Sequence, residues 1–555
     1  MKRILLTTMA ACLMTMSLQA QSYRVPVATD AEPMATGSFE PTWESLRHYQ
    51  VPEWFRDAKF GIWAHWGPQC VEGSGDWMAR EMYMEGTGKY NYHREHYGHP
   101  SEVGFKDILP LFKAENWNPE ELVKFYKEEC GAQYFFVLGN HHDNFDLWDS
   151  KYQEWNSKNI GPKRDILAEW AKAAKKAGLP LGISFHAEHA WTWYEPSRRF
   201  DLSGEYIGVK YDGWLTKEDG YKPNPDGSEN WWKGLDPQKL YAQNHDFSRN
   251  PWDNSGIHSQ WGWDNGANIP TQEFVTNFYN RTVDAINRYN PDLIYFDATV
   301  LPLYPISDAG LKLTAHMYNH SEATHKGKNE AVVFGKILNE EQKEAMVWDV
   351  ERGAPNAINP IPWQCCNCIG DWHYNTGVYE QNRYKSAHTV AKLLVDIVSK
   401  NGNMLLNVPL RADGTPDEKE LAIMKEFGAW MKINSESIYK TRPWKRFGEG
   451  PIAEADIKIN AQGFNDGQYT KAGSEEIRFN QTDKYLYVSA LAWPENHIMT
   501  VKSLSEGNPL FPQKIKDVEL LGYGKVRFER TADALIVSLP EKLNNIMPVL
   551  KIKKQ

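Results

Sequence analysis

The stretch Pro291-Asp292-Leu293-Ile294-Tyr295-Phe296-Asp297-Ala298-Thr299 decides how this chain is read. Residues 293–296 form an apolar and aromatic run without polar alternation, the pattern of a strand buried on both faces. Asn290-Pro291 sets a turn before it. Asp297 ends the run. A lone carboxylate is costly to bury, so an acid at the end of a buried strand either caps the next loop or faces a cleft.

Outward from there the same pattern recurs. An amphipathic helix over 271–289, with Phe274, Phe278, Val283 and Ile286 near one stripe, feeds the Asp297 strand. Upstream, residues 60–65 read as a strand that ends in His65 and is stopped by Gly67-Pro68. A helix follows, with Asn118 as N-cap, Pro119 in its first turn, Glu121 completing a capping box and Gly131 as its stop. The strand 133–138 then leads into Gly139-Asn140-His141-His142-Asp143. After a helix over 164–176, the strand 179–185 leads into His186-Ala187-Glu188-His189.

Downstream, strands are expected at 331–334 and at 345–350, the second ending in Glu351-Arg352-Gly353. Residues 362–375, which include Cys365-Cys366-Asn367-Cys368, read as a loop. A helix near 383–400, a strand at 403–408 and a helix near 416–433 complete this part. Strands and helices alternate, and polar residues gather where strands end. That order predicts an α/β fold, a parallel (β/α) TIM-like barrel with its site on the C-terminal rim. An open doubly wound sheet is the alternative, but no Gly-rich phosphate loop follows any strand. Residues 190–270 form a Trp- and Gly-rich excursion, long for a connection and aromatic enough for a packed loop (Trp191, Trp193, Trp214, Trp231, Trp232, Trp252, Trp261, Trp263). After about residue 445 short strands near 477–479, 485–488, 518–521 and 534–537 alternate with turns, the texture of a β-sandwich. The expected layout is 1–20 signal peptide, 21–440 barrel and 445–555 sandwich.

The signal peptide rests on Lys2-Arg3, a mostly apolar stretch over 4–18 too short to span a bilayer, and Gln19-Ala20 as a small-residue cleavage point. This implies export, to the periplasm or beyond. Loss of Lys2 and Arg3 takes the formal charge from −10 to −12. An acidic chain with interspersed Lys and Arg argues against a nucleic-acid partner, and no later segment is apolar enough to cross a membrane. Five cysteines in the mature chain are too few for a disulfide framework, although one bridge in the 365–368 loop fits an exported protein. His141-His142 with Asp143 suits zinc by residue type. Adjacent histidines on an extended chain point in opposed directions, however, so neither a metal nor a cofactor is called for.

Taken together, His65-Trp66-Gly67, the segment His141-His142-Asp143-Asn144-Phe145-Asp146-Leu147-Trp148-Asp149-Ser150, Asp297 and residues 403–408 resemble the α-L-fucosidases of glycoside hydrolase family 29 over roughly 40–440. The resemblance implies a catalytic barrel followed by a β-sandwich, and cleavage of terminal α-L-fucose with retention through a covalent intermediate on an aspartate. It places the nucleophile at Asp297. It implies that Glu351, about 13 positions before Trp363-Gln364, is the acid/base, because Gln364 stands where relatives carry an acid and an amide cannot donate as one. Glu340 and Glu341 are weaker candidates. It also implies that His65, His141 and His142 hold sugar hydroxyls, that Asp76-Trp77 replaces a Glu-Trp pair near the sugar, that Tyr295 stands where relatives often have Trp, and that Trp372 covers the sugar's methyl. The implied partner is a fucosylated oligosaccharide or polysaccharide. An α-L-galactosidase on the same scaffold is the runner-up, because a pocket rejects one added hydroxyl only weakly. A non-catalytic fucose-binding protein ranks below it.

Overall fold

The computed structural model describes residues 23–252, 262–263, 266–455 and 465–554. The expected signal peptide and Trp261 lie outside the described residues. Eight strands form a closed parallel barrel in chain order: β1 Phe60–Ala64, β2 Tyr134–Asn140, β3 Leu181–Phe185, β4 Leu293–Thr299, β5 Val332–Lys336, β6 Val347–Glu351, β7 Trp363–Cys368 and β8 Gly402–Asn407.

β7 corrects the sequence reading, which took this segment for a loop. Trp363-Gln364-Cys365-Cys366-Asn367-Cys368 lacks the Val/Ile signature of a barrel strand, yet it pairs with β8 along its length and with β6 from Trp363 to Cys366. Gln364 and Cys366 turn inward, where both bond Asp349. The cysteines at 365 and 366 point to opposite faces, and all five described cysteines are free thiols, so the expected bridge is absent.

The barrel interior is filled by aromatic rings. Trp63 meets Tyr295 at 5.0 Å and Phe136 at 5.9 Å between centroids, and Phe136 meets Phe334 at 5.7 Å. Glycine makes room for them: a Cβ on Gly182 would stand 2.4 Å from the Phe136 ring. Outside lie helices that include α1 Pro119–Lys124, α2 Ile166–Ala177, α3 Gln272–Tyr289, α4 Ala309–Thr324, α5 Ala387–Ser399 and α6 Glu418–Asn434. Asn118 caps α1 as read, its side chain accepting from Glu121 N, but the Glu121 side chain does not complete the expected capping box. Asp165 accepts from Ala168 N and Thr271 from Phe274 N in the same way, while Gly178 takes the left-handed conformation that stops α2.

Beyond α6, a six-stranded sheet containing the strand Ile477–Gln481 faces a three-stranded sheet. Phe479, Leu486, Val488, Met499, Val501, Leu535, Val537, Leu550 and Ile552 pack between them as a separate core. This is the sandwich. It is tied to the barrel by buried charges: Arg478 Nε donates to Asp396 Oδ1 of α5 at 2.6 Å, and Lys400 Nζ donates to Asp396 Oδ2 at 2.7 Å.

Candidate active site

The site lies where β1 to β7 end, and two ladder irregularities shape it. Against β5, the register of β4 shifts between Tyr295 and Thr299, so four steps of β4 span two of β5 at Asp297. Against β3, β2 shifts between Leu138 and Asn140, just before His141. Such bulges bend a strand and re-aim its side chains.

Asp297 is 17% exposed and Glu351, at the end of β6, is 22% exposed. Lys336, the last residue of β5, joins them: its ammonium donates to Asp297 Oδ1 at 2.6 Å and to Glu351 Oε2 at 2.8 Å. Those two oxygens therefore stand no more than about 5.4 Å apart, the two bonds laid end to end. The sequence reading had ended this strand at Phe334 and missed Lys336. The other oxygen of Asp297 receives His142 Nε2 at 3.2 Å and lies 3.5 Å from His186 Nδ1. Trp372 Nε1 donates to Glu351 Oε1 at 3.1 Å.

Electrostatics follow from these contacts. Burial opposes ionisation of Asp297, but the Lys336 ammonium, the His142 hydrogen bond and the nearby His186 ring outweigh it. They hold the carboxyl well below the usual range; the His186 approach, at 3.5 Å, is a contact and not a hydrogen bond. Burial drives His65 and His141 far below the usual imidazole value, and it takes His186 down to about 4 against the pull of Asp297.

The remaining expected residues surround this pair. His141 and His142 do not diverge. The chain has left the extended conformation, and their ring centroids are 4.5 Å apart. Gln69 Nε2 donates to His141 Nδ1 at 2.7 Å, and His142 Nδ1 donates to the His186 carbonyl at 2.8 Å. The backbone N–H of His65 donates to Asn407 Oδ1 at 3.0 Å, while Asn407 Nδ2 donates to the carbonyls of Asp371 and Trp372. One amide at the end of β8 thus fixes His65 and Trp372 to each other. Asp76 Oδ1 lies 2.7 Å from His373 Nδ1. Trp77 has φ +61° and precedes a short helix at Met78–Glu81, half-buried against the barrel.

Tyr295 sits one layer deeper than Asp297. It is buried, and its hydroxyl reaches Asp349 Oδ2 at 3.4 Å. Burial raises Asp349 to about 6. Glu340 and Glu341 stand apart from this cluster: Glu340 is outside, paired with Lys343. Sequence reasoning did not single out Lys336, His186 or His373. His186 had a usable signal, since it is a polar residue at the end of a strand that the sequence shows.

Known families fit this geometry. Residues 27–436 match the family profile described as Alpha-L-fucosidase, and 471–553 match its C-terminal domain. The chain belongs to the alpha-L-fucosidase family. Among curated α-L-fucosidases, that of rat tissue is 24% identical over 537 residues, covering 93% of this chain and 92% of the relative. The human plasma enzyme is 25% identical over 530 residues, covering 92% and 90%. Among solved structures, a Thermotoga maritima α-L-fucosynthase in complex with α-L-Fuc-(1-2)-β-L-Fuc-N3 superposes with a TM-score of 0.65 at 24% identity, over 93% of this chain and all of that one. A Bacteroides thetaiotaomicron α-L-fucosidase, trapped as a covalent intermediate, gives 0.57 at 17% identity, over 96% and 99%. These are glycoside hydrolases, and the α-L-fucosidase family is an enzyme family.

Proposed function

We propose that this protein is an exo-acting, retaining α-L-fucosidase that removes terminal α-L-fucosyl residues from glycans by double displacement. One observation carries the reading: two carboxylates, 54 positions apart in the chain, whose nearest bridged oxygens are within about 5.4 Å of each other. Retaining glycosidases hold their carboxyl pair about 5–5.5 Å apart, while inverting ones leave about 6.5–9.5 Å for a water.

Asp297, kept ionised, attacks the anomeric carbon as the glycosidic bond breaks. Glu351 gives its proton to the leaving oxygen. Water then attacks the glycosyl-Asp297 ester while Glu351 takes a proton from it, and fucose leaves with the configuration it had. His65, His141 and His142 supply donors and acceptors for the hydroxyls, and Trp372 offers an apolar face beside Glu351. A solved Bacteroides thetaiotaomicron α-L-fucosidase of the same fold, trapped as a covalent intermediate, supports this order of events. Export through cleavage after Ala20 belongs to the same proposal, and sequencing the mature N-terminus tests it.

The decisive assay uses aryl α-L-fucosides. Asp297→Gly abolishes turnover, and azide then yields the β-L-fucosyl azide by a single inversion. Glu351→Ala with azide yields the α anomer, because azide intercepts an intermediate already inverted once. The same azide anomer from both variants would overturn the assignment of roles. Release of the aglycone from an α-L-galactoside faster than from the α-L-fucoside would shift the substrate to L-galactose.

A further inference from the structure

His65, Asp76, His141 and His373 come from the segments after β1, β2 and β7. Each offers one ligand atom such that all four lie within 4.8 Å of one another. The three imidazoles meet edge to face, with centroids at 4.5 Å (His65–His373), 4.8 Å (His141–His373) and 5.0 Å (His65–His141). Asp76 Oδ1 stands 2.7 Å from His373 Nδ1 and 3.8 Å from His141 Nε2. All three histidines are more than nine-tenths buried. Nδ1 of His65 has no hydrogen-bond partner, although an orphaned buried polar atom is costly.

We propose that this group of three histidines and one carboxylate binds a zinc-class divalent transition metal, and that metal and sugar compete for the pocket. Zinc takes four nitrogen and oxygen donors in a tetrahedron, with bonds of about 2.0–2.1 Å that set neighbouring donors roughly 3.3 Å apart. The observed 2.7 and 3.8 Å flank that value, and with every donor pair inside 4.8 Å the site closes by shortening donor–donor distances by at most about 1.5 Å. Calcium and magnesium are excluded because they need six or more oxygens and the group offers one carboxylate. The objection raised by the sequence concerned His141 and His142 as joint ligands, and only His141 is used here. A second group, His141 with His142 and His186, also lies within 4.8 Å. It would draw His142 away from Asp297, so the first group is preferred. Metal binding stands apart from the fucosidase reading, and only the competition with sugar rests on it.

Zinc titrated calorimetrically into chelator-treated full-length protein tests this. The expected result is about one zinc per chain, weakened tenfold or more in both His373→Gln and Asp76→Asn. Cobalt in its place gives the strong visible absorption of a four-coordinate site. In the fucosidase assay zinc raises KM and leaves kcat unchanged, and free L-fucose weakens zinc uptake. Absence of stoichiometric uptake overturns the site. So does uptake unchanged in both variants, or a six-coordinate cobalt spectrum. Zinc uptake without any competition from fucose overturns the shared-pocket half. Zinc uptake by a protein that cleaves no fucoside would sink the fucosidase reading and leave the metal site standing.

Discussion

Lys336→Met is the most informative change, because one ammonium bridges both carboxyls of the proposed pair. Its removal raises the pKa of Asp297, since that anion loses its nearest cation. In the proposed mechanism the acid limb of kcat/KM belongs to the group that must be ionised, Asp297. That limb therefore moves to higher pH. Two unit charges 4 Å apart at an effective dielectric of 20 interact by about 4 kcal/mol, or roughly three pKa units at 1.36 kcal/mol each. Lys336 is shared by two anions, and water enters the space it leaves, so the expected shift of the acid limb is about one to two pH units.

The assay is a pH–rate profile on an aryl α-L-fucoside, with thermal unfolding measured in parallel. Lys336→Arg keeps the charge and should restore the profile to within about half a unit. Stability moves in step. The lowered pKa of Asp297 contributes stability above the unfolded carboxylate value, and this is lost as pH falls through the lower folded value. Without Lys336 the folded value lies closer to the unfolded one, and this contribution shrinks. A Lys336→Met protein that folds normally and keeps its acid limb within about 0.3 pH unit of the parent would refute the electrostatic argument.

Three further changes test the frame. Gly182→Ala drives a methyl into the Phe136 ring and should cost about 1–3 kcal/mol in denaturant unfolding. Asp396→Asn removes the anion between Lys400 and Arg478 and leaves those cations buried, which should cost about 3–5 kcal/mol, read as a lower denaturant midpoint or as the sandwich unfolding apart from the barrel. Asn407→Ala orphans the Asp371 and Trp372 carbonyls and the His65 N–H. It should destabilise by about 2–3 kcal/mol and lower kcat/KM on aryl α-L-fucosides, with wild-type kinetics arguing against a shared anchor for His65 and Trp372.

Much of this was legible in the sequence because burial on both faces leaves a plain mark. The strands carrying Asp297, His65 and His141 stood out as apolar runs closed by a polar residue, and the helices around them announced their caps. β7 left no such mark. Its inward positions, Gln364 and Cys366, serve a buried polar knot around Asp349, so hydrogen bonds replace the hydrophobic signal. Lys336 was missed for a different reason. A lone lysine past a strand is usually solvated, and its value here comes only from two anions carried by other strands.

What alternation alone could not supply is depth. Tyr295 and Asp297 are two residues apart, and a regular strand places them on one face as equals. The ladder against β5 breaks between Tyr295 and Thr299, and that break separates them: the tyrosine stays in the aromatic core with its hydroxyl toward Asp349, while the aspartate reaches the rim. A carboxylate two residues lower would face the packed rings of Trp63 and Phe136, where it could neither meet a sugar nor stay charged. The chemistry therefore depends on where β4 departs from regularity as much as on which residue it carries there.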